Sequence, residues 1–173
     1  MSRTLENTSA KTPALWRRLA AGVSELVLLF GVLMISGYLY FSLTQQRNAL
    51  GGRQGLMLFE FLVLGVYFGW FWSHGGQTVA MKAWHIRLVG ADGRAVPEWR
   101  AVVRYLLSYV WFLPSLAALH FASVPRTLGT IFGALALNVA LWAGLSRLHP
   151  HRQFWHDALC GTRLIDWRTL QRA

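Results

Sequence analysis

Four apolar runs, separated by short arginine-bearing polar stretches, set the pattern of this chain. They cover roughly Leu19–Leu43, Leu56–Trp72, Arg104–Phe121 and Leu128–Leu145. Each lies near the ~20 residues that an α-helix needs to cross a bilayer, the second being the shortest. A segment surrounded by lipid must bond its own backbone groups, so each run predicts a helix. The pattern therefore predicts an all-α membrane protein, a bundle of four transmembrane helices. Pro114, midway through the third run, predicts a kink. Residues 1–13 lack periodicity and read as a flexible N-terminal tail, 14–166 as the transmembrane domain, and 167–173 as a C-terminal tail.

The loop between the second and third runs has structure of its own. Gly75-Gly76 ends the second span, and Gln77 to Trp84 fits a short interfacial helix. Trp84 to Val89 then alternates in strand fashion before the turn signal Ala91-Asp92-Gly93. Thr162 to Asp166 has a similar pattern. Pairing of Arg87–Val89 with Arg163–Ile165 would make a two-stranded cytoplasmic ribbon; the alternative is two unrelated extended linkers.

Composition and charge sharpen the class. The chain is 54% hydrophobic and 14% charged, too apolar for an ordinary soluble domain of 173 residues. A net charge of +10 could point to nucleic acid, but the basic residues sit between the apolar runs, as topology signals do, and no nucleic-acid partner is expected. Fourteen Lys and Arg flank one side of the four spans, against Arg47, Arg53 and Arg126 on the other. Both termini and the middle loop are thus expected in the cytoplasm, in a plasma (inner) membrane. Trp16, Trp70 and Trp72 fall at the expected cytoplasmic ends, where indole rings suit the headgroup layer. The first run is too long for a signal-peptide core, which favours an uncleaved anchor. One cysteine, Cys160, excludes an intramolecular disulfide.

Candidate chemistry is sparse. Glu25 lies about two turns inside the first run, where an ionisable group is costly and normally faces a cavity, a partner or the protein interior. Arg18, seven residues before it, shares its helix face but stands about 10 Å away along the axis. Each therefore needs a partner from elsewhere; for Arg18, Asp157 is a plausible counter-ion. Glu60, about one turn into the second span, reads as an interface acid, and Asn138 as helix–helix glue. Gly65/Gly69 and Gly129/Gly133 form GxxxG pairs that serve either packing within the bundle or a homodimer seam. The stretch His149 to Asp157 lacks metal-ligand spacing and reads as an aromatic, basic helix on the membrane surface. Gly75 to Lys82 lacks Walker spacing and a preceding soluble strand, which excludes a phosphate loop. No cofactor, metal or enzymatic chemistry is expected.

Arg18 with an acid seven residues on, Gly76 to Lys82, Ile86 to Gly93, Arg104-Tyr105-Leu106-Leu107 and His156 to Arg163 occur in an order that resembles the RDD membrane protein family. The similarity runs from about Pro13 to Ile165. By position, Arg18 resembles the family arginine and Asp157 its last aspartate, while Glu25 stands where the family has its first. The resemblance implies transport, with cation/proton exchange in some members. A non-catalytic membrane accessory or scaffold, in which the Arg–acid pairs are structural, is the other reading. Beside the bilayer, the expected partner is a second copy or another membrane protein, since four short helices give little wall for a pathway.

Overall fold

The computed structural model describes residues 11–45, 52–122, 125, 127–146 and 153–168. In chain order these form α1 (Leu15–Thr44), α2 (Arg53–His74), α3 (Val79–Ala83), β1 (Ile86–Gly90), α4 (Glu98–Ser108), a 3₁₀ turn (Tyr109–Trp111), α5 (Leu113–Phe121), α6 (Leu128–Leu145), α7 (Trp155–Leu159) and β2 (Thr162–Asp166). Four helical stretches are long and apolar enough to cross a membrane: α1, α2, the α4–α5 stretch Glu98–Phe121, and α6. Most of their apolar surface remains exposed, with Ile35, Val66 and Leu128 all more than 70% accessible. That surface suits acyl chains.

The third span starts six residues before its expected beginning at Arg104. Its first part, α4, is amphipathic and turns Ala101, Arg104 and Tyr105 inward, so its polar opening residues hide it from a search for continuous apolarity. The Pro114 kink is a full break: the helix stops at Ser108, passes through the 3₁₀ turn and restarts at Leu113. Proline has no N–H for the carbonyl of Val110, four residues back. Asn138 on α6 supplies the missing donors, its Nδ2 bonding Val110 O at 3.2 Å and Trp111 O at 2.7 Å. Its role as glue between helices is thereby explained.

A compact cap covers one end of the bundle. Here lie Ile86, Leu88, Val89 and Ile165, the most completely buried large apolar side chains. β1 and β2 pair antiparallel with Leu88 opposite Leu164, so the ribbon is real. Isolated two-stranded ribbons are marginal in water, and unpaired edges are a liability. Both edges of this one are occupied. On β1, Leu88 N donates to Gly76 O at 2.7 Å, and Gln77 Nε2 to Ile86 O at 2.8 Å. On β2, the Gln153 amide clamps both N and O of Leu164, and Asp166 N donates to Lys11 O. Lys11 and Thr12, assigned to the tail by sequence, are thus bonded to the cap, with Thr12 Oγ1 accepting from Gln153.

Several expectations shift with this cap. Trp72 is buried in the core instead of anchoring at the headgroups, whereas Trp16 and Trp70 are exposed. The described part of the segment expected as a surface helix forms only the single turn of α7, with His156 and Asp157 facing inward. Residues 147–152 lie outside the described residues. Of the glycine pairs, Gly65 packs within the bundle, where an added Cβ would stand 3.3 Å from the Tyr105 ring. Gly69 and Gly133 face open space.

Gly76 is held at φ +70°, and a Cβ there would come within 2.3 Å of Leu88 O. Gly76→Ala should therefore cost about 1–3 kcal/mol through backbone strain alone, with the clash adding to it. Thermal unfolding in detergent checks this.

Candidate functional site

Two polar clusters lie beneath the cap, and the motif Gly76-Gln77-Thr78 helps to build the first. Gly76 and Gln77 hold β1, while Thr78 caps α3 by accepting from Met81 N and turns its hydroxyl to α1. There it donates to Glu25 Oε2, while Tyr67 on α2 donates to Oε1 at 2.6 Å. Trp84 Nε1 bonds Ser24 Oγ one residue away, which pins α3 and the start of β1 on the same face. Glu25 is therefore buried among α1, α2 and the cap, with both carboxyl oxygens accepting from hydroxyls. Among the described residues no cation lies within ion-pairing distance of it.

The second cluster centres on Asp157, which is fully buried. Its Oδ1 takes Arg104 Nε at 2.7 Å and lies 3.3 Å from His156 Nε2. Arg18, the expected partner, makes no direct bond to it. The Arg18 guanidinium instead lies 4.2 Å over the Phe154 ring, within electrostatic range of Asp157. Among the described residues, Arg18 Nε and Nη1 and Asp157 Oδ2 are buried without hydrogen-bond partners. Arg104 likewise covers an indole, 4.1 Å above Trp72. Two guanidiniums thus share one carboxylate, each resting on an aromatic face, a geometry that stabilises desolvated cations.

A further pair ties the chain ends together. Arg17, adjacent to Arg18, bonds Asp166 at the end of β2 and also donates to Trp84 O. Burial raises the Asp166 carboxyl, but hydrogen bonds from Arg17 and the Arg168 backbone, together with their charges, carry the net effect below the usual range. At Cys160, burial pushes the thiol up, which leaves it a poor nucleophile.

Glu25, Arg18 and Asp157, the three residues singled out by sequence, all lie beneath the cap but do not bond one another. Sequence reasoning missed Arg104, Tyr67, Thr78 and the Arg17–Asp166 pair. Arg104 carried a usable signal, a lone cation at the mouth of an apolar run, but was counted as a topology charge. Thr78 lies in the stretch Gly76 to Lys82 that carries the family resemblance, whereas Tyr67 carries no signal beyond its hydroxyl.

Burial lowers the His156 imidazole from 6.5, opposed by Asp157 and assisted by Arg104 and Arg18. The folded protein therefore keeps it neutral where the unfolded chain takes up a proton. The unfolded state then binds more protons below the ordinary value, so stability falls as pH drops through that region. We expect the melting temperature to decline from about pH 6.5 downward, and the decline to be shallower in His156→Gln.

Four membrane-length helices, a ribbon cap sealing one end and buried Arg–acid chemistry between them define a multi-pass membrane protein with a cap-covered polar site. Residues 12–161 match the RDD family, and the chain belongs to it. No curated protein and no solved structure gives a significant match.

Proposed function

We propose that this RDD-family protein exchanges a monovalent cation for a proton, with Glu25 as the group that takes either ion. One observation carries the reading: Glu25 is a buried carboxyl whose two oxygens face only the hydroxyls of Tyr67 and Thr78, with no described cation to neutralise it. A buried uncompensated carboxylate is costly and relieves that cost by binding a proton or a cation. A carboxylate with neighbouring hydroxyls offers the hard oxygen ligands that alkali cations take.

The cap faces the cytoplasm in this reading, because fourteen of the seventeen Lys and Arg flank that side. Both termini lie there too, in the plasma (inner) membrane. A homo-oligomer completes the pathway, and the unpacked glycines Gly69 and Gly133 leave room for a second copy. This reading assigns the protein no enzymatic role, in keeping with the burial of His156 against Asp157.

Calorimetric titration of NaCl and KCl into detergent-purified protein tests the reading. Cation affinity should weaken as pH falls, because the proton competes for the same carboxyl. Absence of binding, or binding indifferent to pH, would overturn it. The scaffold reading draws on a different observation, that Arg17–Asp166 and Arg104–Asp157 close the cap within one chain.

A further inference from the structure

Glu60 lies seven residues into α2, about 10 Å along a helix whose 22 residues measure about 33 Å. Centred in a hydrocarbon core about 30 Å thick, such a helix would carry the carboxyl inside the apolar layer. It is half-buried against α1, where Gly37 leaves it room: a Cβ there would stand 3.2 Å from Glu60 Oε1. Among the described residues no cation pairs with it. The titratable groups on the neighbouring elements are Tyr38 and Tyr40 on α1 and the bonded pair Tyr105 and Tyr109, of which Tyr105 donates to the carbonyl of the adjacent Phe61; Arg53 stands two turns back on its own helix, and none is bonded to Glu60.

Among the described residues its hydrogen-bond partner is Ser36, buried on α1. Ser36 Oγ lies 2.6 Å from Glu60 Oε2 and 2.8 Å from Val32 O, the carbonyl one turn back on its own helix. A hydroxyl carries one hydrogen but two lone pairs. With Glu60 ionised, that single hydrogen must choose between two short contacts. With Glu60 protonated, the carboxyl O–H donates to Ser36 Oγ, Ser36 donates to Val32 O, and both contacts are filled.

The shell of Glu25 works the other way. Thr78 already accepts from the backbone N–H of Met81, and Tyr67 bonds no other acceptor among the described residues, so both hydroxyl hydrogens are left for the carboxylate. The α1–α2 seam thus carries two acids about 16 Å apart along α1, one accepting from two hydroxyls and one sharing a single hydroxyl hydrogen with a backbone carbonyl.

We propose that Glu60 is a proton-binding site within the membrane, with Ser36 as its positioning residue. Release of the proton to water leaves the carboxylate, and the Ser36 hydroxyl swings from Val32 O to Glu60 Oε2. The site stands whether or not Glu25 exchanges ions.

Infrared difference spectroscopy of the purified protein tests this without any flux measurement. Wild type at neutral pH should show the C=O band of a protonated carboxyl. Glu60→Gln should lose that band with no fall in melting temperature, because the amide donates to Ser36 as the acid does. Glu25→Gln should retain the band, and Ser36→Ala should shift it to the frequency of an unbonded acid. A wild type without the band, or a band that survives Glu60→Gln, would overturn the site. An unshifted band in Ser36→Ala would overturn the relay.

Discussion

Replacing Asp157 with asparagine should lower stability by about 3–5 kcal/mol, the usual result of removing one member of a buried ion pair. Asp157 is completely inaccessible, and its carboxylate is the negative charge facing both Arg104 and Arg18. Asparagine keeps the shape but leaves two guanidiniums buried against Trp72 and Phe154 with no anion. The two arginines should respond differently in double-mutant cycles. Arg104→Gln and Asp157→Asn should be strongly non-additive, because Arg104 Nε bonds Oδ1 directly. Arg18→Gln should come closer to additivity, since Arg18 makes no such bond. Unfolding of the detergent-purified variants gives both numbers. A loss below about 1 kcal/mol, the range of exposed pairs, would mean that Asp157 is not the counter-charge described.

Glu25→Gln should abolish cation/proton exchange while sparing the fold. The amide is isosteric with the carboxyl, and both hydroxyls can stay bonded: one still donates to the amide oxygen, while the other accepts from the amide N–H. The charge that takes a cation or a proton is nevertheless gone. Exchange in liposomes should fall to the level of protein-free vesicles, with little change in melting temperature. Thr78→Val removes one hydroxyl but keeps the carboxyl, and should weaken exchange instead of ending it. Full activity in Glu25→Gln would move the ion site elsewhere.

The two substitutions probe features that differ in how well the chain announces them. The spans and the break at Pro114 are legible because apolar length and a missing N–H act locally. The ribbon was legible as two short alternating stretches, but only the structure shows what completes it: Gly76, Gln77, Gln153 and Lys11 satisfy its edges. The opening of the third span at Glu98 was concealed because α4 is amphipathic, with one face turned to the cap. Among site residues, Glu25 stood out by its cost in an apolar run, and Asp157 by its place in the family motif. Which arginine Asp157 bonds depends on the rotation of α1 and α4 about their axes, and the spacing of residues along the chain does not show how those two helices are turned against each other. The contact of Glu60 with Ser36 was not legible, because distance to the end of an apolar run cannot show which hydroxyl a neighbouring helix presents.

Ion exchange by the reconstituted wild type tests the central claim most directly. In liposomes with an acidic lumen, addition of external Na⁺ or K⁺ should drive protons out and raise the internal pH, and Glu25→Gln vesicles should show no such rise. Wild-type protein that melts cooperatively yet moves no more ions than protein-free vesicles would contradict the account.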